Sequence, residues 1–361
     1  MKTKTIFKNV ILLATLFIFS LSACKKDKTD DNSTTDATPY DSGVFVINEG
    51  AYLTGTGTIS YYNRNTKKVE QDIYKTVNGA VLGNIAQSLT VFNDKAYIVI
   101  NNDAKVEVVN AATFKSSGTI EGLEYPRYFV GSTTTKGYVS QWGFVSGNIA
   151  VINLSTNKII STIDVKASGP ENMLISGDKL FVINSGGYGV DSTISIIDTQ
   201  ADTLLAVVKV GDNPKGIEQD VNGKLWILCG GIPMWMDSVN YTKGKLVELN
   251  ADTYTIEQSI EFPSGDYNPS DLVMNSDKNK LYYIYGSGVY AFDITASNIS
   301  STALFTGYFY ALGYDAKTDY LYAADPIDYT QSGTIYRYKA SSGDLVDSFT
   351  SGIIPGDFWF E

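Results

Sequence analysis

The sequence predicts an all-β fold, a seven-bladed β-propeller of four-stranded blades closed into a ring by its own C-terminal strand. Three recurring patterns carry this prediction. The first is a short strand with an aromatic residue in second place: Val44-Phe45-Val46-Ile47-Asn48, Ala96-Tyr97-Ile98-Val99-Ile100, Gly137-Tyr138-Val139-Ser140-Gln141, Leu180-Phe181-Val182-Ile183-Asn184, Leu225-Trp226-Ile227-Leu228-Cys229, Leu281-Tyr282-Tyr283-Ile284-Tyr285 and Leu321-Tyr322-Ala323-Ala324-Asp325. Its aromatic residues are 40 to 56 positions apart, the period of one four-stranded blade. The second is a proline ahead of each such strand, at Pro126, Pro170, Pro214, Pro269 and Pro355, followed three residues later by a hydrophobe. Proline lacks an N–H and suits the first residue of a strand; Ala86 and Phe309 take its place in the second and seventh repeats. The third is a ladder of Asn63, Asn110, Asn153, Asp198, Asn250 and Asp293, with threonine three residues on at 66, 113, 156 and 253. Such residues open turns through their own side-chain hydrogen bonds, and six of them spread around a ring do not make a metal site.

Taken in order, the chain begins with Lys2, Lys4 and Lys8 ahead of an apolar run from Val10 to Leu21, which is too short to span a bilayer. Residues 1–23 read as a secretory signal ending in Leu21-Ser22-Ala23, and Leu21-Ser22-Ala23-Cys24 resembles a bacterial lipobox, with Cys24 as the acylated mature N-terminus. Residues 24–40 are then a polar, disordered tether carrying Asp27, Asp30 and Asp31, similar to the surface-export signal of Bacteroidetes lipoproteins. The expectation is an outer-membrane protein, anchored by lipid and facing the exterior. Residues 41–361 form the propeller without an internal boundary.

The formal net charge is −11, and removing the leader with its three lysines takes it to about −14. So acidic a chain lacks the footprint of a nucleic-acid binder and reaches a membrane only through lipid. With Cys24 acylated, Cys229 is left alone as a small buried hydrophobe. The fourth repeat shows the grammar of a blade: Pro170–Ile175, Leu180–Asn184, Thr193–Asp198 and Leu204–Val210 are strands A to D. The first repeat has no strand A of its own, and Pro355-Gly356-Asp357-Phe358-Trp359-Phe360 supplies it.

One face of such a ring carries the long B-to-C loops and the D-to-A connections. The B-to-C loops are aromatic, with Tyr52, Trp142, Phe144, Tyr188, Met234, Trp235, Met236, Tyr241 and Tyr329; the D-to-A connections add Tyr125, Tyr267 and Tyr308. Clustered aromatics on loops mark a contact surface for a sizeable ligand or partner. The residue after each proline position should ring the mouth of the central channel: Gln87, Arg127, Glu171, Lys215, Ser270, Tyr310 and Gly356. Asn48, Gln141, Asn184 and Asp325, at the ends of strands B, are expected nearby as partners for amides and hydroxyls. A polar floor beneath aromatic walls suits a small-molecule site; a water-filled channel is the alternative.

Histidine is absent, which removes every triad and metal set that needs imidazole and the commonest general base. Asp315 with Asp319, or Asp325 with Asp328, could pair for glycosidase chemistry, but loop carboxylates are ordinary in so acidic a chain. The reading is a binding protein, not an enzyme, without catalytic residues, metal or cofactor.

The opening Val44-Phe45-Val46-Ile47-Asn48-Glu49-Gly50, followed by Gly57-Thr58-Ile59-Ser60-Tyr61-Tyr62-Asn63, resembles the surface propeller lipoproteins of Bacteroides, within the broad YncE-like family. The likeness covers residues 41–361. That group includes the BtuG-type proteins, so the resemblance implies capture of vitamin B12 or a related corrinoid and its delivery to a TonB-dependent outer-membrane transporter. A scaffold or a glycan- or peptide-binding module is the other reading. The anchoring residues for a corrinoid are expected to be Trp142, Tyr188 and Trp235, with Arg127 and Asn184 as polar contacts.

Cys24→Ala is expected to abolish incorporation of labelled fatty acid and to release the protein from the membrane fraction. A variant that still labels and stays with membranes would rule out the anchor.

Overall fold

The computed structural model describes residues 39–361 apart from 54, 56 and 145; the leader, Cys24 and the tether as far as residue 38 lie outside the described residues. Seven four-stranded antiparallel sheets follow one another along the chain. In the fourth blade the strands are Pro170–Ser176, Lys179–Asn184, Thr193–Asp198 and Thr203–Lys209, running from the channel outwards. All six residues of the turn ladder act as the pattern predicts. Asn63 Oδ1 accepts from the backbone N–H of Asn65 and Thr66, and Asp198 Oδ1 from Gln200 and Ala201, with the same geometry at Asn110, Asn153, Asn250 and Asp293.

The second strand of each blade is buried on both faces, which is why it reads as a continuous apolar run and not as an alternating one. Its aromatic residue fills the space between neighbouring blades. All seven, from Phe45 to Tyr322, are at most 3% exposed. Tyr97 of the second blade stacks on Phe129 of the third with ring centres 3.9 Å apart, and Trp226 of the fifth lies 5.3 Å from Phe292 of the sixth. Each such ring buried between blades stabilises the packing by roughly 2 kcal/mol. Tyr40 belongs to this core rather than to the tether assigned to it, because its ring packs on Phe45, Tyr61 and Phe114 between the first two blades.

The first blade is built from both ends of the domain. Pro355–Phe360 pairs antiparallel with Gly43–Asn48, placing Phe360 opposite Val44 and Phe358 opposite Val46. Its outermost strand is only Val69–Glu70, and the chain then makes a short helix, Ile73–Asn78, that the sequence patterns did not predict. That helix buries Ile73 and Tyr74 and is stopped by Gly79 at φ 68°, a left-handed conformation that glycine adopts without strain.

A buried ion pair reinforces the seam. Arg64, just beyond the third strand of the first blade, donates from Nε and Nη2 to both oxygens of Asp315 in the seventh blade, at 2.7 and 3.0 Å, and from Nη1 to the carbonyl of Glu361 at 2.9 Å. The side chains are 9% and 0% exposed. Asp315 is therefore a closure residue, not half of a catalytic pair. Arg64→Ala is expected to cost about 3–5 kcal/mol in urea unfolding, because it leaves a buried carboxylate uncompensated, whereas Arg64→Met with Asp315→Leu should recover most of the loss. An unchanged midpoint for Arg64→Ala would exclude the clasp.

Candidate functional site at the channel mouth

The innermost strands are irregular at the same place. In six of the seven, the register against the second strand slips just after the first residue, so that Gln87, Lys215, Asp271 and Gly356 stand as extra residues, and Arg127-Tyr128 and Glu171-Asn172 each stand as two residues opposite one. A bulge of this kind re-aims side chains that a regular strand would send into the sheet. Here it turns them into the channel. The mouth is a cavity of about 460 Å³, and all seven residues predicted to ring it do so: Gln87, Arg127, Glu171, Lys215, Ser270, Tyr310 and Gly356. Glu49, Tyr128 and Asp271 line it as well. The pattern missed them because a bulge delivers two neighbouring residues where one was expected, and because Glu49 follows the second strand of the first blade.

Most of the ring is held in a network of its own. Arg127 Nε donates to Glu171 Oε2 at 3.0 Å and its Nη1 donates to Gln87 Oε1. The guanidinium lies over the Trp142 ring, 4.4 Å from its centre, and the indole N–H donates to Glu171 Oε1 at 3.0 Å. Trp142 is thus fixed to the ring instead of standing free above it. Across the mouth, the Tyr310 hydroxyl donates to Glu49 Oε1 at 3.0 Å. A Cβ on Gly356 would come within 2.6 Å of that same oxygen, so a larger residue there would displace the Glu49 carboxylate from its place in the mouth.

Below the mouth a second cavity of about 590 Å³ continues down the channel between the inner strands, and Tyr128, Lys215, Asp271 and Gly356 line both. Desolvation raises the pKa values of its carboxyls: Asp271 and Asp357 to about 7 and Glu218 to about 8. Glu49 is raised for the same reason, and desolvation lowers Lys215. These groups reach channel water while protein surrounds them, an environment found where ligands bind or protons move. Among the described residues no cluster of three or more potential ligands is arranged to hold a metal.

The loop residues assigned to the site do not form one cluster. Tyr188, 85% exposed, packs edge-on against Trp142 at 5.1 Å. Trp235, 81% exposed, stands with Tyr267, Tyr308, Met236 and Val190 around a groove of about 570 Å³ that runs inward to Lys215. Tyr329 shares a 2.7 Å hydroxyl–hydroxyl hydrogen bond with Tyr308 and meets Tyr310 edge-on. Tyr241 lies over Gly265, and Tyr52 is exposed on the first-blade loop.

Asn48 and Asn184 are corrections. Both are 0% exposed and face into their blades. Asn48 Nδ2 donates to Ser60 Oγ at 3.0 Å and its Oδ1 accepts from Ser351 Oγ at 2.8 Å; Asn184 Nδ2 donates to Ser195 Oγ at 2.9 Å. They tie strands together at the ends of the second strands, where the alternation turns the side chain away from the channel. Gln141 is likewise buried, accepting from the Glu124 N–H. Asp325 caps the turn after its strand by accepting from the Ile327 N–H, and Asp328 does the same for Thr330. Cys229 is buried, and desolvation pushes its thiol up to about 12, as expected of an inert hydrophobe.

The profile of a family described as a domain of unknown function, DUF5074, matches residues 42–360. The chain belongs to this DUF5074 family. The DUF5074 propeller is also 29% identical over 143 residues to the seven-bladed beta-propeller protein Rv1057 of Mycobacterium tuberculosis, a match that takes in 38% of the chain and 35% of that protein's length. Among solved structures it resembles a quinonprotein alcohol dehydrogenase-like protein of Bacteroides thetaiotaomicron, with a TM-score of 0.67 and 15% identity over 89% of this chain and 78% of that one. It also resembles the periplasmic gluconolactonase of Pseudomonas aeruginosa, with a TM-score of 0.65 and 11% identity over 88% and 99%. At these identities the structural likeness is one of fold.

The channel carboxyls predict a pH dependence. A carboxyl whose folded pKa lies above its unfolded value of 3.8 contributes stability that is full below pH 4 and lost as pH rises towards 7. Asp357→Asn keeps an oxygen able to accept from the Phe358 N–H. It is expected to raise the melting temperature relative to wild type at pH 8 and to leave it unchanged near pH 4. A difference that is the same at both values would refute the raised pKa.

Proposed function

We propose that this DUF5074 propeller is a capture protein for a large, partly flat ligand rich in amides, with cobalamin or a related corrinoid as the candidate. The observation that carries the reading is the crowding of exposed aromatic side chains, among them Tyr52, Phe144, Tyr188, Trp235, Tyr267 and Tyr308, on the loops of the face that opens onto a preformed polar mouth. A corrinoid exceeds the 460 Å³ of the mouth, so its ring would cover the opening while peripheral amides reach the Arg127, Glu171 and Gln87 network. Aromatic rings would grip its apolar faces. Delivery to a TonB-dependent outer-membrane transporter is part of the same proposal, in keeping with the predicted lipid anchor.

A second reading draws on the raised pKa of Glu49 beside Arg127, a setting in which a carboxyl can act as a general acid. The gluconolactonase that shares the fold makes lactone hydrolysis the reaction to assay.

Calorimetry of the domain from residue 39 with cyanocobalamin is the test. Trp235→Ala is expected to weaken binding by roughly thirtyfold, as truncation of a central aromatic anchor commonly costs about 2 kcal/mol. With no histidine in the chain, cyano and hydroxo forms should bind alike. No heat at micromolar protein would reject the corrinoid, and turnover of gluconolactone above background would favour the enzyme.

A further inference from the structure

Three cavities meet at one side chain. Lys215 lines the mouth, the lower channel and the aromatic groove. Arg127 is the other cation in their walls, and it is ion-paired with Glu171. Lys215 has no ion pair or hydrogen bond among the described residues; desolvation and the field of Arg127 work against its charge, and the longer-range fields of Glu171 and Asp271 favour it. Its position follows from the backbone: it is the extra residue of the bulge between Pro214 and Gly216. Gly230 stands against its stem, and a Cβ there would come within 3.4 Å of Lys215 Cγ.

The groove that ends at Lys215 has mixed chemistry. Trp235, Tyr267 and Tyr308 supply rings, Val190 and Met236 apolar wall, and Asn213 and Asn268 amides. Aromatic faces take the C–H face of a sugar or a flat heterocycle, amides take hydroxyls, and an unpaired ammonium takes an anion. The Lys215 ammonium stays open to channel water while the surrounding protein desolvates it enough to lower its pKa, and an anionic ligand group would give that charge the partner it lacks.

We propose that Lys215 seats a phosphate or carboxylate carried on a sugar, whose body lies in the groove between Trp235, Tyr267 and Tyr308. The inference rests on reading the loop face as a ligand site. If the ligand is a corrinoid, the sugar phosphate is that of its nucleotide arm; otherwise the source is a free sugar phosphate or sugar acid.

The test is acylation of the intact protein at pH 8, with modification of Lys215 followed by peptide mass spectrometry and the exposed Lys115 as internal control. Ribose 5-phosphate or glucuronate is expected to slow modification of Lys215 several-fold and to leave Lys115 unchanged, while glucose slows neither. Protection by glucose to the same extent, or by neither anionic sugar, overturns the proposal. In parallel, Lys215→Gln should weaken cobalamin binding roughly tenfold, the worth of one charge-assisted hydrogen bond, without changing the affinity for cobinamide, which lacks the nucleotide arm. Lys215→Arg should restore cobalamin binding. Equal losses for both corrinoids would overturn the assignment to the nucleotide arm. If wild type binds neither corrinoid, the corrinoid reading falls, and protection by the free sugars alone decides the role of Lys215.

Discussion

One antiparallel pairing between segments some three hundred residues apart holds the molecule: Val44 to Ile47 against Asp357 to Phe360. Each blade of a propeller packs only on its two neighbours, so a ring left open would expose an apolar face at each side of the gap. Closing through a shared sheet turns the gap into an ordinary blade interior, and the bidentate contact of Arg64 with Asp315 locks its lower end. The mouth of the channel depends on the same event. Gly356, from the closing strand, and Glu49, just after the strand it pairs with, complete a ring to which the other inner strands contribute the rest.

The architecture could be read from the sequence because its determinants are local and repeated. An aromatic in second place, a proline ahead of the inner strand and a turn-opening Asn or Asp each need only a few neighbouring residues to act, and seven imperfect copies correct one another. The ring of mouth residues was readable for the same reason. What escaped was set by the third dimension. Asp271 and Tyr128 reach the channel through bulges whose register no single strand reveals, and Asn48 and Asn184 looked like ligand contacts until pleating turned them inward. The helix Ile73–Asn78 was hidden because it fills the place of a longer outer strand, with only two buried side chains to mark it.

The mouth divides its labour between groups already satisfied and one that is not. Gln87, Arg127, Glu171 and Trp142 bond to one another, which fixes their positions before any ligand arrives and lowers the entropy lost on binding. Such a network gives shape and polarity. Lys215, by contrast, keeps its charge unpaired at the junction of the cavities. The loops above add exposed aromatic and apolar area around that polar floor.

The seam also bears on how a newly made chain becomes a protein. Synthesis proceeds from the N-terminus, so Val44 to Ile47 emerge long before the residues that will cover them. Until Pro355 to Phe360 follow, that strand is an uncapped apolar edge, a template for pairing with another chain. Blades two to seven each hold all four of their strands in sequence and can form as they appear. The first blade alone must wait for Pro355 to Phe360, some three hundred residues later, which makes it the place where a product stalled before them would aggregate.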